Sequence, residues 1–139
     1  MSRDSRLAVM RPLVERCLAS DVPFKRMAGA YFLLVTNEDD WLRTELSKDS
    51  TFLLLRPVSV ADSVPQSEKD VSRRYLDAAG SVIGYRDQLL RAVTRLRVAA
   101  CRDNLEAIVL DPESNKHGLS GYEAKQAIAA IEGTANSGH

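Results

Sequence analysis

Cysteine is scarce in this chain of 139 residues: Cys17 and Cys101 are the two present, far apart and without the close spacing of a zinc or redox motif. A disulfide framework would want more of them, so the pair points to a reducing compartment and to two small buried hydrophobes. Histidine is equally sparse, with His117 in an expected loop and His139 at the C-terminal end. No helical pair of histidines, no readable His-Cys pair and no nucleophile elbow can be assembled from them. The stretch Ala79-Gly80-Ser81-Val82-Ile83-Gly84 has neither the spacing nor the strand context of a phosphate-binding loop. No catalytic residue, cofactor or metal is therefore expected, and the chain reads as a non-enzyme.

An excess of one charge is also missing. Lys plus Arg and Asp plus Glu both total 19, giving a formal net charge of zero. There is no global pull toward nucleic acid or membrane, and such a partner would have to be met by a local patch. Long apolar runs are absent as well, since AYFLLV (30–35) and FLLL (52–55) fall far short of the roughly 20 residues a membrane span needs. The opening MSRDSRLAVMRPLVERC has no apolar stretch of signal-peptide length. The expectation is a cytoplasmic protein with no membrane contact.

What is present is helical periodicity. Leu7, Met10, Val14 and Cys17 recur at intervals of three and four between Asp4 and Ala19, with Pro12 either kinking that helix or marking its start. Ser20-Asp21-Val22-Pro23 breaks it, and FKRMAGAYFLLV continues as a second helix up to Thr36-Asn37. Asn37 followed by Glu38, Asp39 and Asp40 reads as the cap and acidic first turn of a third, over about 38–48. Residues 51–66, TFLLLRPVSVADSVPQ, alternate weakly between prolines, which leaves an extended or β segment at 51–60 open.

The strongest pattern follows. Val71, Tyr75, Ala78, Val82, Tyr85, Leu89, Val93, Leu96 and Ala100 step by three and four, a seam over about four heptads with one phase slip. It fits one helix over about 67–110, roughly 65 Å at 1.5 Å per residue, or a helical pair broken at Gly80 or Gly84. Asp111-Pro112 stops it, and a last helix is expected over about 121–132. The fold class is all-α, a helical bundle around a long central helix or helical pair. A single helical domain spans 1–132 and a disordered polar tail 133–139. The expected core includes Leu7, Met10, Val14, Phe32, Leu33, Trp41, Leu46, Val71, Tyr75, Val82, Leu89, Val93, Leu96 and Ile128.

Three features bear on function. LDPESNKHGLSGYE (110–123) has the look of a calcium loop, yet counting from Asp111 puts Lys116 where the turn glycine belongs and Tyr122 where the bidentate glutamate belongs. Counting from Glu113 puts His117 and Ala124 at ligand positions, so the stretch is better read as a helix stop, a turn, and a capping box at Ser120-Gly121-Tyr122-Glu123. VERCLASDVPFKRMAGAY has the form of a helix-turn-helix pair with Lys25 and Arg26 after the turn, but its second helix runs into an apolar stretch and the next opens with three acids.

Lastly, Arg91, Arg95 and Arg102 fall within about 40° of one another on a helical projection, and Arg97 projects among the core positions beside Val93 and Cys101. Lys25, Arg26, Arg91, Arg95, Arg97 and Arg102 together are the candidates for a surface that meets an anion, nucleic acid or an acidic partner. The seam residues Val71, Tyr75, Val82, Tyr85, Leu89, Val93 and Leu96 are the candidates for a protein interface. The sequence thus favours a helical interaction module, an adaptor, assembly factor or regulatory subunit, that pairs with a protein partner or with itself as a homodimer. A DNA-binding regulator is the alternative from a different class, and a small helical enzyme a distant third.

Overall fold

Proline and a left-handed asparagine set the first boundaries. In the computed structural model, which describes residues 3–55, 72–116 and 119–135, helix α1 spans Arg3–Leu18 with Pro12 inside it. Side chains are described at 8–55, 84–114, 116 and 119–133. Pro23 opens α2 (Pro23–Val35) at the position where a missing N–H is harmless. Gly29 lets α1 and α2 close on each other, since a Cβ there would stand 3.1 Å from the Leu18 side chain. Asn37 then takes φ 59°, the left-handed conformation that ends a helix, and Glu38 N–H donates back to the Leu33 carbonyl at 2.9 Å. Asn37 therefore closes α2 rather than capping the next helix, as the sequence suggested. Helix α3 (Asp39–Lys48) keeps the expected acids, Asp39 and Asp40, in its first turn and Lys48 in its last.

The stretch Thr51–Leu54 is a 3₁₀ turn that buries Phe52 and Leu53. A strand beginning at residue 51 is thus corrected: the two large side chains go inward from one tight turn instead of alternating across a pleat. Residues 56–60 of that expected segment lie outside the described residues.

The expected long helix exists in part. Helix α4 runs unbroken over Ser72–Leu96, through Gly80 and Gly84, so neither glycine divides it. The break falls at Arg97, which adopts φ 53° and donates its N–H to the Val93 carbonyl at 2.7 Å. Val98 turns inward, a 3₁₀ turn covers Ala99–Cys101, and α5 (Arg102–Leu110) sets off in a new direction. Asp111 accepts from the Glu113 N–H and starts the 3₁₀ turn Pro112–Asn115, so the Asp-Pro stop falls where expected. The last helix, α6 (Ser120–Ala135), runs three residues beyond the expected 132, into the stretch expected to be tail.

The protein is all-α, with six α-helices and no strand among the described residues. Its centre is Met27 and Leu33 of α2, Leu42 and Leu46 of α3, Leu53 of the 3₁₀ turn, Leu89, Leu90 and Val93 of α4, and Leu105 of α5. Each large aliphatic chain removed from water contributes about 1.5–3 kcal/mol. Helix α2 packs on α1, α3 and α4, while α6 lies across α4 and α5. Side-chain bonds pin the joints: Arg43 donates to the Leu96 carbonyl at the end of α4, and Asn104 donates to Ser50 Oγ at 2.7 Å.

Candidate interaction surfaces

The seam was the first surface the sequence marked. Leu89 and Val93 are fully buried within the single chain and Leu96 nearly so, in a helix α4 that packs against α2 and α6. At these positions the seam is internal core. Tyr85 is half-buried, stacked on Tyr31 with ring centroids 4.2 Å apart and facing Phe24 at 6.5 Å, so it too is taken up by α2. Val71 lies outside the described residues, and Tyr75 and Val82 belong to the part of α4 whose side chains are not described.

The arginines were the second. They do not form one free stripe, because the turn at Arg97 puts Arg91 and Arg95 on α4 and Arg102 on α5. Arg91 Nε donates to Glu123 of α6 at 3.1 Å, and Arg95 makes a two-pronged contact with Asp39 at 2.8 and 3.2 Å. Arg102 donates to Glu106 and to Glu132 of α6. The Asp39 carboxyl is held below its ordinary value, chiefly by the hydrogen bonds from Arg95, and Arg102 is held above its own by those to Glu132 and Glu106. Arg97 corrects its expected place among the core residues: it is exposed at the helix end, since a left-handed residue points its side chain away from the axis that the projection assumed. Lys25 is exposed in the first turn of α2, while Arg26 folds back to donate to the Ser20 carbonyl at 3.0 Å. The six cations are thus spread over three helices and the turn at Arg97.

A buried polar cluster that the sequence did not mark joins α4 to α6. Ser120 Oγ donates to Asp87 and accepts from Arg86 Nε at 2.7 Å, and Asp87 also accepts the Leu119 N–H at 2.9 Å. Arg86 reaches on to the Leu55 carbonyl at 2.9 Å. The cap of α6 therefore comes from another helix. Ser120 and Glu123 do not form the reciprocal box read from the sequence; the first turns to Asp87 and the second to Arg91. No sequence signal could have shown this, because the partners are more than thirty positions away.

Beside that cluster lies a surface groove of about 400 Å³, lined by Leu54, Ala107, Ile108, Leu110 and Pro112, with Arg86 and Ser114 among its polar walls. Leu110, the last residue of α5, is 81% exposed, and Leu54 is partly so. An exposed leucine alone means little; two at the rim of one groove make a small apolar surface.

Among the described residues no three His, Cys, Asp or Glu side chains come together as a metal site. Asp111 and Glu113, read at first as calcium ligands, are occupied as the cap of a 3₁₀ turn and the partner of Lys116. Burial pushes the Cys101 thiol up from its usual value, away from the reactive thiolate, and Cys17 is unpaired as well. No described helix is long and apolar enough to cross a membrane. Comparison with protein-family models, curated proteins and solved structures gives no match to this chain.

Proposed function

We propose that this chain is a non-enzymatic interaction module, an adaptor, assembly factor or regulatory subunit, that works by pairing with a second copy of itself. The observation carrying the proposal is the apolar groove at the end of α5, where Leu54 and Leu110 stand exposed around Ala107, Ile108 and Pro112. The seam that first suggested pairing is filled from within at Leu89, Val93 and Leu96, so self-association is moved to this groove. A reducing cytoplasm goes with this reading, on the strength of the two unpaired cysteines. Engagement of Arg91, Arg95 and Arg102 with carboxylates of the same chain leaves less positive charge for phosphate, which weighs against the DNA-binding alternative.

Light scattering over a range of concentrations and salt tests it, with Leu110→Asp beside the parent chain. A dimer that persists at high salt and becomes a monomer in Leu110→Asp, with unchanged helical circular dichroism, is the expected result. A parent chain that stays monomeric at every concentration overturns the proposal. So does duplex DNA binding that collapses with added salt, which would favour the regulator instead.

A further inference from the structure

The bend between α4 and α5 is made from residues that favour a helix. Arg97-Val98-Ala99-Ala100-Cys101 contains none of the glycine, proline, asparagine, aspartate or serine that form most turns, and alanine is the strongest helix former. Arg97 nevertheless stands at φ 53°, where its Cβ crowds the next carbonyl. Asn37, the other described non-glycine residue with positive φ, has a short amide side chain that tolerates this conformation; arginine has none. The seam spacing also runs through the bend. Leu89, Val93, Leu96 and Ala100 keep intervals of three and four, yet Ala100 ends exposed and Val98, out of that register, is buried. Tertiary packing is what bends the chain: Val98 and Cys101 lie in the core, and Arg43 takes the Leu96 carbonyl that a continuing helix would use. Beyond the bend, Asn104 meets Ser50, Ser120 meets Arg86 and Asp87, and Glu123 meets Arg91. None of these contacts requires both partners to belong to one copy.

We propose that two copies of this chain exchange α5 and α6, the bend at 97–101 straightening so that α4 and α5 become one helix over 72–110, about 58 Å long at 1.5 Å per residue. Each copy then receives the other's α5 and α6 in the places its own would fill. The packing of α6 on α4 is kept in full, but between chains, together with the contacts of Ser120, Glu123 and Asn104. The exchange relieves Arg97 of its left-handed conformation; it gives up the burial of Val98 and the Arg43 bond to the Leu96 carbonyl. No covalent bond changes. Since α5 and α6 leave one core only when that core opens, the two forms interconvert slowly. This pairing needs no contact at the groove around Leu54 and Leu110 and does not rest on pairing there.

Refolding from urea at low and at high protein concentration, followed by light scattering, tests it on the parent chain. Concentrated refolding should yield a dimer that survives prolonged dilution under native conditions and becomes monomer only after being unfolded and refolded dilute. In a dimer refolded from equal parts of isotope-labelled and unlabelled chain, nuclear Overhauser contacts between α4 and α6 should run from one chain to the other. Arg97→Gly leaves the bend unstrained and the fused helix weaker, so its yield of this dimer at equal concentration should fall at least about tenfold. Leu110→Asp, which puts a charge at the groove, should leave the yield unchanged. A dimer that dissociates on dilution and disappears in Leu110→Asp belongs to the groove and overturns the exchange. A chain that refolds to monomer at every concentration overturns it too, as do α4 to α6 contacts that stay within one chain of the dimer. Equal yield from Arg97→Gly overturns the part given to the strained bend. The refolding and isotope measurements use the parent sequence, so a variant that failed to fold would not spare the proposal.

Discussion

Arg95, in the last turn of α4, grips Asp39, in the first turn of α3, with both guanidinium prongs, at 2.8 and 3.2 Å across 56 positions of sequence. Each charge also sits at the helix end that its sign favours: the acid against the positive N-terminal end of α3, the cation against the negative C-terminal end of α4. Arg43, one turn further along α3, donates to the Leu96 carbonyl at that same end of α4. The contact fixes how the two helices meet.

Its pH dependence has a definite sign. Asp39 is lowered from 3.8, first by the Arg95 hydrogen bonds, and Asp49 is lowered likewise by the Thr51 hydroxyl and N–H. For a carboxyl depressed on folding, the stabilisation is complete well above 3.8 and is lost as pH falls through the lower folded value. Urea midpoints measured from neutral pH down into the acid range should fall below pH 4 or so, and the gap between the parent chain and Asp39→Asn should narrow there. A gap of constant width would show that the Asp39 charge adds nothing to stability.

The buried joint between α4 and α6 should respond unequally to its two sides. Asp87→Ala strips the Leu119 N–H and the Ser120 hydroxyl of their acceptor and leaves cationic Arg86 beside them, a loss of about 3–5 kcal/mol. Ser120→Ala removes one hydroxyl from between two groups that keep other contacts, and should cost about 1–3 kcal/mol. Chemical denaturation of the two variants checks the order; a larger loss from the serine would mean the hydroxyl, not the carboxylate, organises the cap.

Arg97 holds a conformation that glycine adopts without penalty. At φ 53° its Cβ crowds the following carbonyl, so Arg97→Gly should raise stability by about 1 kcal/mol even though it deletes a long side chain. The exposed guanidinium gives up no buried contact in the exchange. A destabilised Arg97→Gly would point to a tie made by that side chain.

Leu89→Ala distinguishes a core position from an interface. The side chain is fully enclosed in one chain, so truncation should cost about 2–5 kcal/mol through lost burial and a residual cavity. That cost should not vary with protein concentration, as it would if a second chain supplied the packing. Thermal unfolding at dilute and concentrated protein provides the comparison.

Several features were legible from residue order alone because they depend on neighbours along the chain. Pro23 opening α2, the acids of the first turn of α3, the Asp111-Pro112 stop and the period of three and four along α4 are local effects, and the structure contains each of them. The burial of Val14, Leu33, Leu46, Leu89 and Val93 follows from the same periodicity. Composition accounts for the all-α class, since apolar residues recur at helical intervals over most of the chain.

The misreadings of the long helix and its arginines have one cause. Arg97 ends α4 in a left-handed turn that glycine would have announced and arginine does not, while Gly80 and Gly84, which do look like breaks, stay helical. A projection drawn through that turn grouped Arg91, Arg95 and Arg102 on a single face and sent Arg97 inward. Tertiary structure gives the three arginines separate partners in Glu123, Asp39 and Glu132. It also buries the seam of α4 inside the bundle, caps α6 with Asp87 of α4, and leaves Leu54 and Leu110 exposed around one groove. Periodicity tells which residues avoid water, because that preference belongs to the side chain. Which element covers them, and which charge meets which, depends on contacts between residues 30 to 56 positions apart, and folding alone brings those together.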